Sequence, residues 1–324
     1  SPLERSIFQS RIDSEILSAL IATLEEAVPL FRSYLKKKAE LLGLENLAFY
    51  DLFAPVGKSA KRYSYEDAQA FIVEHFSRFS EAMGKFAQNA FEKNWIDFEP
   101  RKGKVGGAYD TSFPVAKESR ILSNFDYTYS GVSTIAHELG HAYHDSKVMQ
   151  RGGLLANYPM PLAETASIFC EGLIFRGALE EADEEERIAL IEAFLQDSTQ
   201  VCLDILSRFY FEEEVCKRRK EGDITASELN EMMLDAQKRT YGPALDVYHP
   251  YMWAVKSHYY RPEFSHYNYP YAFGQLFGLG LSKRSEDDPS AFVEQYDALL
   301  SVSGMKSVRD VGLEAVIDLR DRSF

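Results

Sequence analysis

The chain has 324 residues, and 45% of them are hydrophobic, so it can bury a large core. It carries 36 Lys and Arg residues against 50 Asp and Glu residues, a formal net charge of −14. Because this acidity repels anionic partners and the longest apolar runs are too short to cross a bilayer, we expect neither a nucleic-acid nor a membrane partner.

The three cysteines have no spacing typical of a metal site. Cys170, Cys202 and Cys216 each lie in an apolar context that predicts a helix. Nothing in the sequence resembles a secretory signal. We therefore expect buried, reduced thiols in a cytoplasmic protein.

The chain is predicted to be mostly helical. Apolar residues recur at three- and four-residue steps over residues 13–42, which is typical of an amphipathic helix. Pro29 is expected to bend this helix or to start another one. A capping signal at Ser64 predicts a second helix that runs to about Phe91. Thr225 and Glu228 form a capping box at the start of a further helix.

Residues 101–128 interrupt this helical pattern. The segment “RKGKVGGAYDTSFPVAKESRILSNFDYT” is rich in Gly and turn residues and contains short runs with β propensity. Such a composition predicts a small sheet. This sheet would lead directly into the histidine-rich segment that follows.

The segment “TIAHELGHAYHD” (134–145) contains three of the seven histidines of the chain. On a helix, His137 and His141 lie about 40° apart on one face and one turn apart along the axis. Two imidazoles placed in this way can share a tetrahedral Zn²⁺. Glu138 lies beside them, where it can take a proton from an attacking water, and H-E-x-x-H is a known metalloprotease signature. We therefore predict one Zn²⁺ per chain at this helix.

His144 is not predicted to bind the same metal ion. It lies seven residues after His137, which is about 10 Å along a helix axis, too far for one ion to reach both. We expect a surface histidine or one that orients a ligand. The longer metzincin pattern is not matched, since it requires Gly and His where this chain has His144 and Lys147.

The segment “YPMPLAETASIFCEGLIF” (158–175) offers a third metal ligand. Pro161 suits the first turn of a helix that is apolar apart from Glu164 and Glu171. Buried acids are costly unless they are paired or bound to metal. We expect Glu164 to bind the ion and Glu171, two turns farther along, to accept a hydrogen bond from a histidine ligand. Two His and one Glu leave a fourth position for water, as in catalytic zinc sites.

Several segments together resemble the oligoendopeptidase F branch of the thimet oligopeptidase family. They are “HELGH”, “YPMPLAETASIFCE” and “AVKSHYYRPEFSHYNYPYAFGQLFGLGL”, with “LAFYDLFAP” and “GGAY…ILSNF” in support. The resemblance covers essentially the whole chain and implies a soluble, mainly helical zinc endopeptidase that cuts short peptides inside a deep channel. It also implies that the helical N-terminal half of full-length members is absent here, so that such a half would be a partner of this chain.

The resemblance assigns roles at the metal site residue by residue. It places His137, His141 and Glu164 on the zinc ion and makes Glu138 the general base and acid. These assignments agree with those reached from the spacing of the residues.

The resemblance also implies a role for the block “SHYYRPEFSHYNYPYAFG”. The family places a His and Tyr residues of this block over the substrate, and His258 and Tyr267 match that pattern best. Donors aimed at the tetrahedral oxyanion would assist peptide hydrolysis. Tyr260 and Tyr271 are further candidates for substrate binding. The alternative for each tyrosine is a packed ring whose hydroxyl bonds to a backbone carbonyl.

The glycines of “VGGAY” (105–109) allow two interpretations. Gly106 and Gly107 can simply form a turn. In the family, this region forms an edge beside the zinc helix, where an extended substrate can pair as an added strand. Glycine would then let the substrate backbone approach closely. The glycines of “GQLFGLGL” (274–281) are expected to serve close helix packing.

The sequence therefore predicts a mainly α, zincin-type metallopeptidase catalytic domain with a small β-sheet flanking the zinc helix, as a single domain over residues 1–324. Its predicted function is zinc-dependent hydrolysis of internal peptide bonds in oligopeptides. Two alternatives remain open. One is a zinc carboxypeptidase, which would need a basic residue such as Arg261 to hold a terminal carboxylate. The other is a peptide-binding relative without turnover.

Overall fold

The structure of the protein is a computed structural model that describes residues 1–57, 61–287 and 289–321. Helices contain 68% of the described residues, and two small sheets accompany them in this part of the chain. This confirms the mainly helical fold class predicted from the sequence. The chain divides into two compact units. We call Ser1–Lys58, Glu184–Phe273 and Arg320–Ser323 the first unit, and Ser59–Asp183 with Gly274–Leu319 the second unit. The single domain over 1–324 stays a prediction.

The first unit is built from helices and one pair of short strands. Its helices are α1 (Pro2–Gln9), α2 (Ser14–Leu42), α7 (Glu184–Thr199), α8 (Ile205–Arg218), α9 (Ala226–Tyr241) and α10 (Met252–Val255). Its strands β1 (Leu47–Ala48) and β5 (Leu245–Val247) pair in parallel. The boundary between the units falls inside α11 (Tyr269–Asp287), after Phe273.

Local signals set the helix ends of the first unit where the sequence predicts them. The Asp13 carboxylate accepts a hydrogen bond from the Ile16 amide at 2.8 Å, so it caps α2. The helix ends at Gly43, whose φ of 71° favours glycine. Thr225 and Glu228 form both bonds of a capping box at the start of α9. The predicted helix over 13–42 and the predicted capping box are therefore confirmed. Pro29 lies inside α2, so no separate helix starts there.

The second unit contains the histidine-rich segment. Its helices are α3 (Tyr65–Phe79), α4 (Glu81–Glu92), α5 (Tyr129–Val148), α6 (Met160–Glu181), α12 (Pro289–Val302), α13 (Val308–Glu314) and the rest of α11. Its strands are β2 (Ile96–Asp97), β3 (Tyr109–Phe113) and β4 (Glu118–Leu122).

The single helix predicted from Ser64 to about Phe91 is wrong. Ser64 caps α3 as expected, but that helix ends at Phe79. Ser80 then adopts an extended conformation, with φ −152° and ψ 127°, and its hydroxyl caps α4 by accepting from the Met83 amide at 3.4 Å. The apolar period continues through the break, which is why the pattern alone does not reveal two helices.

The small sheet predicted for residues 101–128 is confirmed. The strand order is β2–β4–β3, with β4 parallel to β2 and antiparallel to β3. Tyr109 lies opposite Leu122 and Phe113 lies opposite Glu118. This order puts β3 at an edge of the sheet, next in the chain to the glycines of “VGGAY”.

Close packing of α5 on α6 brings the histidine-rich segment against the glutamate-bearing helix. A Cβ atom at Gly140 would lie 2.7 Å from the Ala166 carbonyl oxygen and 2.7 Å from Ser167 Cα. Only glycine therefore fits at this crossing. On α11, a Cβ at Gly274 would lie 2.7 Å from Glu164 Cβ, and one at Gly278 would lie 2.9 Å from Ile168 Cγ2. The packing role predicted for “GQLFGLGL” is confirmed at these two positions.

The cysteines carry no disulfide within the described residues. Cys170 and Cys202 are buried, as expected, whereas Cys216 is only half-buried. Among the described helices, none is long and apolar enough to span a membrane.

Candidate metal centre

Three predicted metal ligands lie together in the second unit. His137 and His141 lie one turn apart on α5, and Glu164 lies in the second turn of α6. One ligand atom from each residue lies within 4.8 Å of the other two. Among the described residues, no other group of three or more His, Cys, Asp or Glu side chains could hold a metal ion in this way.

The spacing of the ligand atoms fits a tetrahedral zinc ion. His137 Nε2 lies 3.1 Å from His141 Nε2 and 3.3 Å from Glu164 Oε2, and His141 Nε2 lies 3.6 Å from Glu164 Oε2. Bonds of about 2.0–2.1 Å in a tetrahedron place neighbouring ligand atoms about 3.3–3.4 Å apart. The three atoms therefore form one face of a tetrahedron of the right size for Zn²⁺.

Both histidines have an acceptor on the nitrogen that faces away from this centre. His137 Nδ1 lies 3.1 Å from Glu171 Oε1, and His141 donates to the Ala163 carbonyl. Such bonds fix the tautomer, so that the lone pair of the other nitrogen points at the centre. Burial and the neighbouring His137 lower the pKa of His141 to about 4, which keeps this ring neutral.

The charges of two glutamates act on His137. Burial lowers the pKa of His137, but Glu171 and Glu164 outweigh this effect and raise the pKa well above its usual value. Burial likewise raises the pKa of Glu164, but the hydrogen bond and charge of His137 outweigh it and hold the pKa at about 2. Ser167 Oγ donates to Glu164 Oε2 at 3.1 Å. Glu164 is thus an anion aimed at the two imidazoles.

Glu138 lies beside the three ligands and is 5% exposed. It accepts a hydrogen bond from the backbone amide of Asp110 on β3. Its Oε2 atom is buried and has no hydrogen-bond partner among the described residues. Burial raises the pKa of Glu138 to about 7, against the opposing charge of His137. A carboxylate with this pKa is well matched to proton transfer near neutral pH.

Asp110 is a residue of the site that the sequence analysis does not identify. Burial and the charge of Asp145 raise the pKa of its carboxyl group to about 8. Its backbone links the edge strand to Glu138, and no sequence pattern signals a backbone contact of this kind. The contact between β3 and Glu138 depends on how the sheet packs against α5.

A cavity of about 460 Å³ opens beside the candidate metal centre. His137, Glu138 and Glu171 line it from the helices, and Gly107 and Asn124 line it from the segments around the sheet. Gly107 has a φ of +84°, so the turn at this position requires glycine. A Cβ atom at Gly106 would meet no heavy atom within 4 Å, so packing does not demand glycine there. Asn124 Nδ2 donates to the Gly107 carbonyl at 3.0 Å and holds the turn.

His144 lies away from the ligand set, but it is not a surface histidine. Its side chain is completely buried, its ring stacks on Tyr158 at 3.9 Å, and its Nε2 lies 2.7 Å from Ser303 Oγ. Burial lowers the pKa of His144 to about 3. The prediction of a surface position is therefore wrong, because the apolar face of α5 extends over this position.

The remaining predicted residues belong to the first unit. His258 is half-buried in a short 3₁₀ turn, and its Nε2 lies 2.9 Å from Asn268 Nδ2. Tyr267 and Tyr271 hydroxyl oxygens lie 3.1 Å apart. The Tyr260 ring is 60% exposed, and its hydroxyl contacts the Trp253 carbonyl at 3.5 Å. The hydroxyl contact of Tyr260 matches the packing alternative, but its exposed ring does not.

His258 and Tyr267 share a cavity of about 570 Å³ within the first unit. Phe211, Trp253 and Phe264 supply apolar parts of its wall. The two side chains that the family pattern selects therefore face the same space. Asn268, which bonds to His258, is a residue that the sequence analysis misses.

Comparisons with known proteins agree with this fold and this arrangement of helices. The model of peptidase family M3 matches residues 2–322. Group B oligopeptidase PepB of Streptococcus agalactiae is 26% identical over 328 residues, which are 97% of this chain and 53% of that protein. An oligoendopeptidase F homolog of Lactococcus lactis is 26% identical over 330 residues, again 97% of this chain and 53% of that protein.

A solved structure described as a peptidase from Chlamydophila abortus shares the fold. It has a TM-score of 0.85 at 23% identity, and the match covers 98% of this chain and 54% of that chain. The chain thus spans about half the length of the relatives that it matches. The chain belongs to peptidase family M3. The family predicted from the sequence is confirmed.

Proposed function

We propose that this protein is a zinc-dependent metalloendopeptidase that cleaves internal bonds of short oligopeptides. The observation that carries the proposal is the convergence of His137, His141 and Glu164, whose ligand atoms match one face of a zinc tetrahedron. Family membership supports a peptidase. The names of the relatives describe oligopeptidases and oligoendopeptidases, which supports oligopeptides as substrates.

In this proposal, His137, His141 and Glu164 hold one Zn²⁺ per chain, and Glu171 orients His137. When bound, the ion would supply a Lewis acid that polarises the scissile carbonyl and acidifies the attacking water. Neutral imidazoles and an ionised carboxylate are the forms that bind zinc. The low pKa of His141 and of Glu164 favours these forms at neutral pH. Glu171 and Glu164 raise the pKa of His137, so zinc binding would displace a proton from that ring.

Glu138 acts as the general base and then as the general acid. Its buried Oε2 has no hydrogen-bond partner in the described part of the chain and can accept a proton from water, while the Asp110 amide holds the other side of the carboxylate in place. After the tetrahedral intermediate forms, Glu138 returns the proton to the leaving amine. A single carboxylate can thus serve both steps.

The edge strand β3 is the proposed guide for the substrate backbone. Within the described residues, the side of β3 away from β4 has no strand partner. It can pair with an extended peptide as an added strand through backbone groups other than the Asp110 amide, which donates to Glu138, and this pairing would position one peptide bond at the metal ligands. Gly106 and Gly107, just before β3, leave room for a close approach of that peptide. The cavity beside His137 and Glu138 would receive the bond to be cleaved.

His258 and Tyr267 are proposed to donate hydrogen bonds to the developing oxyanion, with Tyr271 and Tyr260 as further substrate contacts. Donors that bind the transition state more tightly than the substrate lower the barrier. The Tyr271 hydroxyl, 3.1 Å from that of Tyr267, can keep the Tyr267 hydroxyl oriented. We further propose that the protein acts in the cytoplasm, and the free, buried thiols of Cys170 and Cys202 support a reducing compartment.

The direct test combines metal analysis with cleavage of an internally quenched peptide whose two ends are blocked. We expect about one zinc per chain, loss of cleavage on chelation, and recovery with Zn²⁺ but not with Mg²⁺. A carboxypeptidase would cut only the matched peptide with a free C-terminal carboxylate. Cleavage restricted to that free-ended peptide, or undiminished cleavage after complete zinc removal, would contradict the proposal.

A further inference from the structure

A chain of buried polar side chains leads to His258 in the first unit. Asp204 is completely buried and pairs with the guanidinium of Arg208. Arg208 Nη1 donates to Asn268 Oδ1 at 3.3 Å, and Asn268 Nδ2 lies 2.9 Å from His258 Nε2. Arg208 and Asn268 are each 6% exposed, so water has little access to compete for these bonds.

The chemistry of Arg208 fixes the orientation of the Asn268 amide. A guanidinium has only donors, so the atom of Asn268 that faces it must be the carbonyl oxygen. The NH₂ group must then face His258. Glu212 strengthens this orientation, because its carboxylate accepts a hydrogen bond from the Asn268 side chain. A flipped amide would put donor against donor at Arg208 and acceptor against acceptor at Glu212.

The orientation of Asn268 in turn fixes the tautomer of His258. Because Nε2 faces an N–H donor, it must present a lone pair, and the ring proton must reside on Nδ1. Burial and the charges of Arg208 and Lys256 lower the pKa of His258 to about 4, which is consistent with a neutral ring.

The backbone next to Asn268 is strained and is held in place by hydrogen bonds. His266, two residues before Asn268, has a φ of 47°, which is uncommon for a residue other than glycine. Its amide donates to Glu212 Oε2 at 2.6 Å, and its Nε2 lies 2.7 Å from Glu213 Oε1. These two bonds stabilise the strained conformation that places Tyr267 and Asn268 beside His258.

We propose that Arg208 and Asn268 are positioning residues that lock His258 as a neutral imidazole with its proton on Nδ1, so that His258 acts as a hydrogen-bond donor through Nδ1 only. This inference rests on the proposed function for the substrate contact of His258, but the tautomer itself does not depend on it. In this state His258 neither transfers a proton from Nε2 nor acts as a cation. It is a neutral hydrogen-bond donor with a fixed ring orientation.

Long-range ¹H–¹⁵N spectra of protein labelled at histidine read the tautomer directly. The His258 signals are assigned by their loss in His258→Phe. At neutral pH we expect a protonated Nδ1 and an unprotonated Nε2. A protonated Nε2 in the wild-type protein, alone or together with Nδ1, would overturn the lock whether or not any variant folds.

Asn268→Asp replaces the donor that faces Nε2 with an acceptor of the same shape. We expect Nε2 to gain a proton, and kcat for the end-blocked peptide to fall by about 10–100-fold with KM nearly unchanged. Adding His258→Ala to this variant should then cost little more. An unchanged tautomer in Asn268→Asp would refute the inference. The matched control is Asn230→Asp, which adds the same charge but still accepts from Trp253 Nε1, so the His258 spectrum should not change.

The spectra test the tautomer of His258, and the kinetics test the proposed function, so each can be contradicted independently of the other. One outcome is that the spectra show the predicted tautomer in the wild type and its change in Asn268→Asp while neither protein cleaves peptides. In that case the proposed function is wrong, and the positioning of His258 by Arg208 and Asn268 is supported. If the wild-type protein cleaves peptides with a protonated His258 Nε2, the lock is wrong and the proposed function stands.

Discussion

Glu164 and Glu171 lie seven residues apart on α6 and contact opposite nitrogens of His137. Glu164 Oε2 lies 3.3 Å from His137 Nε2, on the side of the ligand set, whereas Glu171 Oε1 lies 3.1 Å from Nδ1. In the proposed site, one glutamate would therefore offer its charge to the metal, and the other would orient a histidine ring that binds the metal.

This difference predicts unequal effects of the two substitutions on zinc affinity. Glu164→Ala removes a ligand and should abolish or severely weaken zinc binding, whereas Glu171→Ala should weaken it by about 10–100-fold. A zinc titration with a competing chelator measures both. Glu180→Ala on the same helix is the matched control, because Glu180 pairs with Arg78 at the surface and should leave the affinity unchanged. The opposite order for Glu164 and Glu171 would mean that the ligand assignment is wrong.

The burial of His144 predicts that the free energy of unfolding depends on pH. Burial lowers its pKa to about 3 in the folded protein, against about 6.5 in the unfolded chain. The unfolded state therefore binds more protons between these values, and the free energy of unfolding should fall as pH drops below about 6.5. The contribution of one histidine is about 1.4 kcal/mol per pH unit.

Urea unfolding at several pH values, with a chelator present, measures this slope. In His144→Gln, the change of the free energy of unfolding per pH unit between about pH 6 and pH 4 should be smaller by the contribution of about one proton. His258 also has a lowered pKa and should keep contributing in the variant. An equal slope in the variant and the wild-type protein would show that His144 does not titrate as its burial requires.

At the scale of elements, the crossing of α5 and α6 determines whether the three ligands meet. Gly140 lies within the “HELGH” segment, and its missing side chain lets α6 approach. We expect Gly140→Ala to separate the helices, to lower stability by about 1–3 kcal/mol and to reduce zinc affinity. Thermal unfolding measures the loss of stability, and a zinc titration measures the loss of zinc affinity.

Gly172→Ala on α6 is the matched control for Gly140→Ala. The added methyl group would come closest to the Ser282 hydroxyl, at 3.1 Å, and that side chain can turn away. Its effect on zinc affinity should be much smaller. Equal zinc affinity in Gly140→Ala and wild type would show that the close crossing does not position Glu164.

The sequence predicts the elements that carry strong local signals. The i, i+4 spacing of His137 and His141 and the isolated acids of α6 predict the ligands, because each rests on the geometry of one helix. The break at Ser80 is not predictable in this way, since the apolar period continues across it. A change in the backbone conformation of one residue leaves no trace in the pattern.

At the scale of the whole molecule, the contacts missed by sequence reasoning join residues far apart in the chain. Asp110 bonds to Glu138 through its backbone, and Arg208 contacts Asn268 across 60 residues. Such contacts depend on how strands and helices pack, which a single sequence does not specify. The two compact units are likewise not predicted, because the first unit is assembled from three separate segments of the chain.

The chain spans about half the length of the relatives that it matches. The activity of those longer proteins is therefore extended to this chain only as a proposal, and its test must use this chain itself. The candidate metal centre suits such a test, because all its proposed ligands and Glu138 lie within the second unit.

The central claim is that Glu138 transfers protons in a reaction at a zinc ion held by its neighbours, and Glu138→Gln tests it most directly. Glutamine keeps the shape of the side chain and can still accept from the Asp110 amide, but it cannot take a proton from water. The measurement is turnover of the end-blocked peptide per zinc bound, in wild type and variant. We predict about one zinc per chain in both and a loss of at least about 100-fold in kcat for the variant. Full zinc content with wild-type turnover in Glu138→Gln would contradict the account.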